Sequence, residues 1–188
     1  MISPVAAGPG TVFALVAYIP GELGAFLNSL RPRLVPSCHL LSHLTILPPR
    51  ATNAQEDTLV RFLDRATSRV AAFEVELGDV EIFPVTNVIY LSVLAGRGAV
   101  ESIHEDLNHA DLAFDEPFEF QPHITLAQDV EPERLLAVYE LARQVWADCP
   151  HQDSFSVEKL TFVRNDGLDV WSTVSEHQLA CSTLLRTV

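Results

Sequence analysis

Lysine is nearly missing from this 188-residue chain: Lys159 is one lysine beside eleven arginines, against 25 acidic residues, for a formal net charge of −13. An overall negative field of that size repels polyanions, so a protein that coats extended nucleic acid is excluded. A local site lined by arginine is not. Cysteine is scarce too: Cys38, Cys149 and Cys181 are odd in number and share no C-x-x-C spacing. That argues against a disulfide framework and against a cysteine-based zinc site. Long apolar runs are also absent. The longest, around Phe13 to Ile19, is far too short to span a bilayer. No basic region precedes it, so no secretory signal is read. A soluble cytoplasmic monomer is the expectation.

What the chain does have is apolar residue in quantity, 48% of the total with only 20% charged, enough for one folded domain or two small packed lobes. "TVFALVAYI" reads as a strand. Leu23, Phe26, Leu27 and Leu30 follow at helical spacing. "LLSHLTIL" reads as a second strand, expected to stop at Pro48 and Pro49. Asn53 and Glu56 suggest a capping box for a helix with Leu59, Phe62, Leu63, Ala66 and Val70 on one face. A strand is expected at about Phe73 to Phe83.

The order then recurs. "VIYLSVLAG" is a strand, Val100, Ile103, Leu107 and Ala110 mark a helix, and "PHITLA" is a strand. Leu135, Val138, Tyr139, Ala142 and Trp146 mark another helix. "SFSVEKLTFVR" reads as one strand, and a last strand is expected around Leu168 to Val174. Such self-similarity implies a duplicated lobe. Lobe one would cover about 1–85 and lobe two about 86–188, with strand exchange between them allowed.

The repeat carries chemistry. "HLTI" occupies His43 to Ile46 and "HITL" occupies His123 to Leu126. Side chains alternate along a strand, so His43 and Thr45 share one face, as do His123 and Thr125. Leu44, Ile46, Ile124 and Leu126 then face a core. A pseudo-twofold axis would bring both polar faces to one cleft. With seven histidines and eleven threonines, a random chain would show roughly 0.4 His-x-Thr matches. Two, each flanked by apolar residues at equivalent places, exceed that. The plain alternative is a pair of satisfied surface histidines on a sheet.

These residues resemble the two-histidine phosphoesterases, the superfamily of bacterial 2′-5′ RNA ligases and 2′,3′-cyclic phosphodiesterases, whose signature is two H-x-[TS]-x motifs. The likeness extends over "VEIFPVTNVIYLSVLAG" and the ending "FSVEKLTFVRNDGLDVW". It implies a bilobal α+β fold, two antiparallel sheets lining a central cleft with helices outside. It implies catalytic roles for His43 and His123, and phosphate binding by Thr45 and Thr125. Gln128 departs from the pattern, because many relatives have a basic residue there.

The chemistry suits the residues. Opening a cyclic phosphate needs one group to take a proton from water and another to give one to the leaving sugar oxygen. Imidazoles titrate near neutrality and can do both. Threonine supplies a neutral donor to a phosphate oxygen, about 6.6 Å along the strand from the histidine. No cofactor and no metal is required. A zinc triad of His39, His43 and His123 is conceivable but lacks a carboxylate or cysteine at convincing spacing. Arg50 and Arg164, near strand ends, are candidate phosphate contacts. Phe83, Tyr90 and Trp171 are candidate stacking partners for a base. His104, His109, His151 and His177 have no patterned neighbours and are expected on the surface. The expected ligand is a small nucleotide or an RNA end. The rival reading is a non-catalytic module that holds a nucleotide or phosphometabolite in the same cleft. No P-loop or G-x-G-x-x-G turn supports an ATP-dependent or dinucleotide enzyme.

Overall fold

In the computed structural model, which describes residues 11–181 apart from 166, 168 and 169, eight strands form one antiparallel sheet. In chain order the elements are β1 (Val12–Tyr18), α1 (Gly21–Leu34), β2 (His43–Ala51), α2 (Glu56–Thr67), β3 (Phe73–Ile82), β4 (Ile89–Ala95) and α3 (Arg97–Leu107). Then come β5 (His123–Ala127), α4 (Leu135–Ala147), β6 (Ser154–Val157), β7 (Lys159–Asn165) and β8 (Trp171–Gln178), with short 3₁₀ turns at Ala110–Leu112 and Pro132–Arg134. The strand order is β6-β3-β4-β5-β2-β1-β7-β8.

Two four-stranded halves meet at the middle of that order. The seam between β5 and β2 is one bridge, Leu44 opposite Ile124. The architecture is the α+β arrangement of two antiparallel arrays with helices outside. The halves of the sheet are not the halves of the chain, however. β3, from the first half of the sequence, pairs with β4 and β6, while β7 and β8, from its end, extend β1. "SFSVEKLTFVR" is therefore not one strand. It breaks at Glu158 into β6 and β7, which lie in opposite halves of the sheet.

Alternation explains the burial. Phe13, Leu15 and Ala17 of β1, with Leu44 and Ile46 of β2 and Ile124 and Leu126 of β5, join the main core beneath the helices. Leu23, Leu27, Leu30 and Leu34 supply the buried stripe of α1. Ala14, Val16 and Val163 form a second, small apolar cluster on the opposite face, with Tyr18 and Trp171 against it. α3 begins after Gly96, whose φ of 81° lies in the left-handed region; a Cβ there would strike the Glu74 carbonyl oxygen.

Several local expectations are corrected. β2 does not stop at Pro48 but runs through both prolines to Ala51. Its ladder with β1 shifts register in that region, from Phe13 opposite Arg50 to Leu15 opposite Leu47. On its other edge the one pairing is at Leu44, so the missing proline N–H groups interrupt nothing there. The Asn53–Glu56 capping box does not form: Gln55 is the N-cap of α2 without a side-chain cap bond, and Glu56 pairs instead with Arg164 at 2.7 Å. Val70 lies past the end of α2, and Ala110 lies past the end of α3 in a 3₁₀ turn. The last strand begins at Trp171; Leu168 lies outside the described residues.

Candidate active site

The two motif strands run antiparallel, with Leu44 opposite Ile124. That register sets His43 across from Thr125 and Thr45 across from His123, on the face away from the helices. Cross-strand neighbours have Cβ atoms about 5 Å apart. A cavity of about 260 Å³ opens on this face, bordered by His43, Thr45, Thr125, Gln128, Arg31, Tyr18 and Trp171, with Ala14, Val16, Leu40, Leu41, Pro49 and Val163. His123 is not among those bordering residues. It stands beside them on the Thr125 strand, with the Phe83 and Tyr90 rings edge-on at 4.9 and 5.4 Å.

Both histidines are held alike. His43 Nδ1 is 2.7 Å from the Leu41 carbonyl oxygen, and His123 Nδ1 is 2.7 Å from that of Gln121. A carbonyl can only accept, so each Nδ1 carries the proton and each Nε2 presents a lone pair in the neutral ring. Burial lowers the pKa of both below the ordinary value. For His43 the nearby positive charges of Arg31 and of a protonated His123 lower it further. His43 is therefore near enough to His123 to feel its charge.

Arg31 is the residue that sequence reasoning missed. It is 3% exposed and borders the cavity. Its Nη1 donates to the carbonyls of Leu40 and Leu41 at 2.9 and 3.0 Å. Its Nε is buried without a partner. A signal was available: Arg31 falls four residues after Leu27, on the stripe that α1 buries. A guanidinium placed on an apolar stripe needs a reason. Burial lowers the pKa of Arg31, but so strong a base stays charged.

Arg50 and Arg164 do not border the cavity. Arg50 lies on the helix side of β2, 2% exposed, donating to Pro48, Asn108, Leu112 and, at 3.0 Å, to Glu116. Arg164 pairs with Phe13 across the ladder, on the same helix side, where Glu56 meets it. Alternation removes both from the polar face. Tyr90 is buried; its hydroxyl donates to Glu81 at 2.9 Å and accepts from Gln121 Nε2 at 3.2 Å, while its ring stacks on Phe83 at 3.9 Å. These two rings pack against His123. Burial, reinforced by Glu81, raises the Tyr90 pKa, and burial raises that of Tyr18.

His39 is exposed in the loop before β2 rather than in the strand, away from the cavity lining. Among the described residues, no group of three or more His, Cys, Asp or Glu could hold a metal. His104 and His177 are not on the surface. His104 Nδ1 donates to the Ile46 carbonyl oxygen at 2.8 Å, and the ring stacks on Phe120 at 3.7 Å. His177, 1% exposed, sits between Asp64 at 2.6 Å and Ser175 at 2.8 Å, tying β8 to α2. Neither borders the cavity.

Residues 20–169 match the family model described as the 2′-5′ RNA ligase superfamily. The chain belongs to that superfamily. Relatives of similar sequence include a proposed phosphoesterase of Oceanobacillus iheyensis, 33% identical over 109 residues, which are 55% of this chain and 62% of that protein. Another, of Geobacillus kaustophilus, is 27% identical over 68% of this chain and 75% of that one. The chain thus matches less than two thirds of the Oceanobacillus protein's length. Of solved structures, apo LigT of E. coli superposes with a TM-score of 0.63 at 17% identity, covering 92% of this chain and 99% of LigT. LigT has also been crystallised with 3′-AMP; that structure aligns at 0.62 with 18% identity over 92% of this chain and 99% of LigT. These likenesses establish the fold, and the family is one of phosphoesterases. No described helix is long and apolar enough to cross a membrane.

Proposed function

We propose that this chain is a metal-independent phosphoesterase that opens a 2′,3′-cyclic phosphate, or cleaves a 2′-5′ phosphodiester, in a small nucleotide or at an RNA end. One observation carries the reading: two imidazoles, each with Nδ1 tied to the carbonyl two residues upstream and Nε2 left available, stand on adjoining strands with Thr45 and Thr125 between them. One Nε2 takes a proton from the attacking water. The other, protonated, gives its proton to the departing sugar oxygen. Thr45 and Thr125 donate to the non-bridging phosphate oxygens, where charge builds in the transition state.

The cavity favours a small ligand. Among the described residues, Arg31 is the one arginine that borders it, and no lysine, aspartate or glutamate does. Tyr18, Trp171, Val16 and Val163 give it an apolar and aromatic side suited to a nucleobase. The crystallised LigT complex with 3′-AMP accords with such a ligand.

The test is a panel of 2′,3′-cyclic nucleotides, ADP-ribose 1″,2″-cyclic phosphate, 2′-5′ dinucleotides and a cyclic-phosphate-ended tRNA fragment, with and without EDTA, read by product identity. Turnover of the small cyclic nucleotides that survives chelation is expected. Binding without turnover across the panel would instead mean a nucleotide-holding module.

A further inference from the structure

A second cavity lies on the helix side of the sheet, away from the histidine face. It holds about 370 Å³ and shares no bordering residue with the cleft. Thr58, Phe62, Arg65 and Arg69, from α2 and the turn that follows it, form one wall, and His109 and Asp111 border it from the segment after α3. Leu59 and Leu112, both buried, add apolar surface.

The sequence accounts for these walls. α2 turns Leu59, Leu63 and Thr67 inward. Arg61 and Arg65, with Arg69 two residues past the helix end, recur at four-residue steps and are exposed. Arg61 Nη2 donates to Thr58 Oγ1 at 3.3 Å, and Arg65 Nε donates to the Arg61 carbonyl at 3.1 Å. Among the described residues, neither Arg65 nor Arg69 meets a carboxylate within ion-pair distance, whereas Arg50, Arg97, Arg143 and Arg164 each do. Facing them, Ala110 has a φ of 51°, in the left-handed region that alanine rarely adopts. Beside that turn the His109 ring stands edge-on to Phe62, with centroids 5.2 Å apart.

The local charge runs against the charge of the whole chain. Two guanidinium groups face one carboxylate, Asp111, and the partial negative charge of about half a unit at the end of α2. The cavity is left positive on a chain whose net charge is −13. Guanidinium forks match the oxygens of a phosphate. Phe62, His109 and the two buried leucines offer rings and apolar surface to a heterocycle. The volume falls within the range of small-ligand pockets, roughly 300–1,000 Å³.

We propose that this cavity is a second, non-catalytic nucleotide site, in which Arg65 and Arg69 hold the phosphate while Phe62 and His109 hold the base. It goes beyond the phosphoesterase reading of the cleft and does not depend on it.

The test is an amide NMR titration of the full chain with 5′-AMP, adenosine and inorganic phosphate in turn. 5′-AMP is expected to give saturable shifts at Phe62, Arg65, Arg69 and His109, as a set separate from any shifts on β2 and β5. Adenosine and phosphate, each one part of the recognised molecule, should bind that set more weakly. Arg65→Gln/Arg69→Gln should weaken 5′-AMP binding there by about tenfold or more, the worth of a charge-assisted hydrogen bond, with the shifts on β2 and β5 unchanged. Asp111→Asn should tighten it about twofold, as removal of one exposed like charge requires. A gain of that sign is something no loss of folding can imitate. Three results would each overturn the proposal. The first is 5′-AMP shifts confined to β2 and β5. The second is α2 shifts that survive the arginine substitutions. The third is a single-stranded oligonucleotide that binds the α2 amides more tightly than 5′-AMP, with a salt slope of several phosphates at about −0.7 each. Turnover at the cleft, present or absent, does not enter the result.

Discussion

β2 and β5 carry the same four-residue pattern, and their differences lie in what other elements bring to them. β2 is nine residues long, pairs along its length with β1, and has α1's Arg31 behind its histidine. β5 is five residues long, pairs with β4, and has the rings of Phe83 and Tyr90 around its histidine. The motif fixes which atoms face the cleft. The neighbours fix how each atom behaves there. A duplicated sequence therefore does not imply duplicated chemistry.

The strongest way to break the comparison is to remove one histidine at a time. On a cyclic nucleotide, His43→Ala and His123→Ala should each lower kcat by roughly 10²–10⁴-fold with the circular dichroism spectrum unchanged. Near wild-type turnover in either would mean the pair does not act together. Thr45→Ala and Thr125→Ala come next. Each removes one hydrogen bond to phosphate, so about a tenfold loss in kcat/KM is expected from each. Loss confined to one threonine would show that the two strands grip the phosphate unequally.

The pH dependence sharpens the same comparison. Both histidines have pKa values below the ordinary one, because burial penalises the charged ring. The unfolded chain then binds more protons than the folded one as pH falls below about 6.5. The stability associated with the neutral rings is fully present above that pH and is lost as pH drops through the lowered folded values. Urea melts across pH 5 to 7 should show this decline, and the double variant His43→Gln/His123→Gln should lessen it. In the free enzyme, both limbs of the kcat/KM profile should fall on the acid side of about 6.5 for the same reason. The smallest expected effect is at Gln128, exposed at the cavity rim. Gln128→Arg should lower KM by a factor of two or so, in line with an exposed ion pair of about 0.5 kcal/mol. The gain should shrink with salt; an unchanged KM would mean the side chain does not reach the phosphate.

Much of the site was legible because it depends on strand parity, which is a property of consecutive residues. His43 with Thr45 and His123 with Thr125 need no knowledge of the rest of the chain to share a face. The same parity rule also placed Arg50 and Arg164 on the helix side, but only once the observed strands and ladder registers were known. Arg31 was harder, since a helical stripe shows that a residue is buried but not which loop or strand it meets. His104 and His177 were unreadable in sequence because their partners, Ile46, Asp64 and Phe120, are distant along the chain. The break at Glu158 was hidden for a related reason. "SFSV" and "KLTFVRN" each alternate correctly, and nothing local says that they belong to different ends of the sheet.

That one-residue break also bears on how the protein is made. Val12 to Val16 form a ladder with Thr161 to Asn165, so the inner strand of the His43 lobe stays open on one side until those later residues have been synthesised. β3 likewise waits for β6, which emerges immediately before β7. Both lobes are therefore completed together by one late stretch on either side of Glu158. A ribosome-stalled or C-terminally clipped chain would hold both motifs yet lack the strands that close either lobe, so neither lobe can mature as an independent half-enzyme.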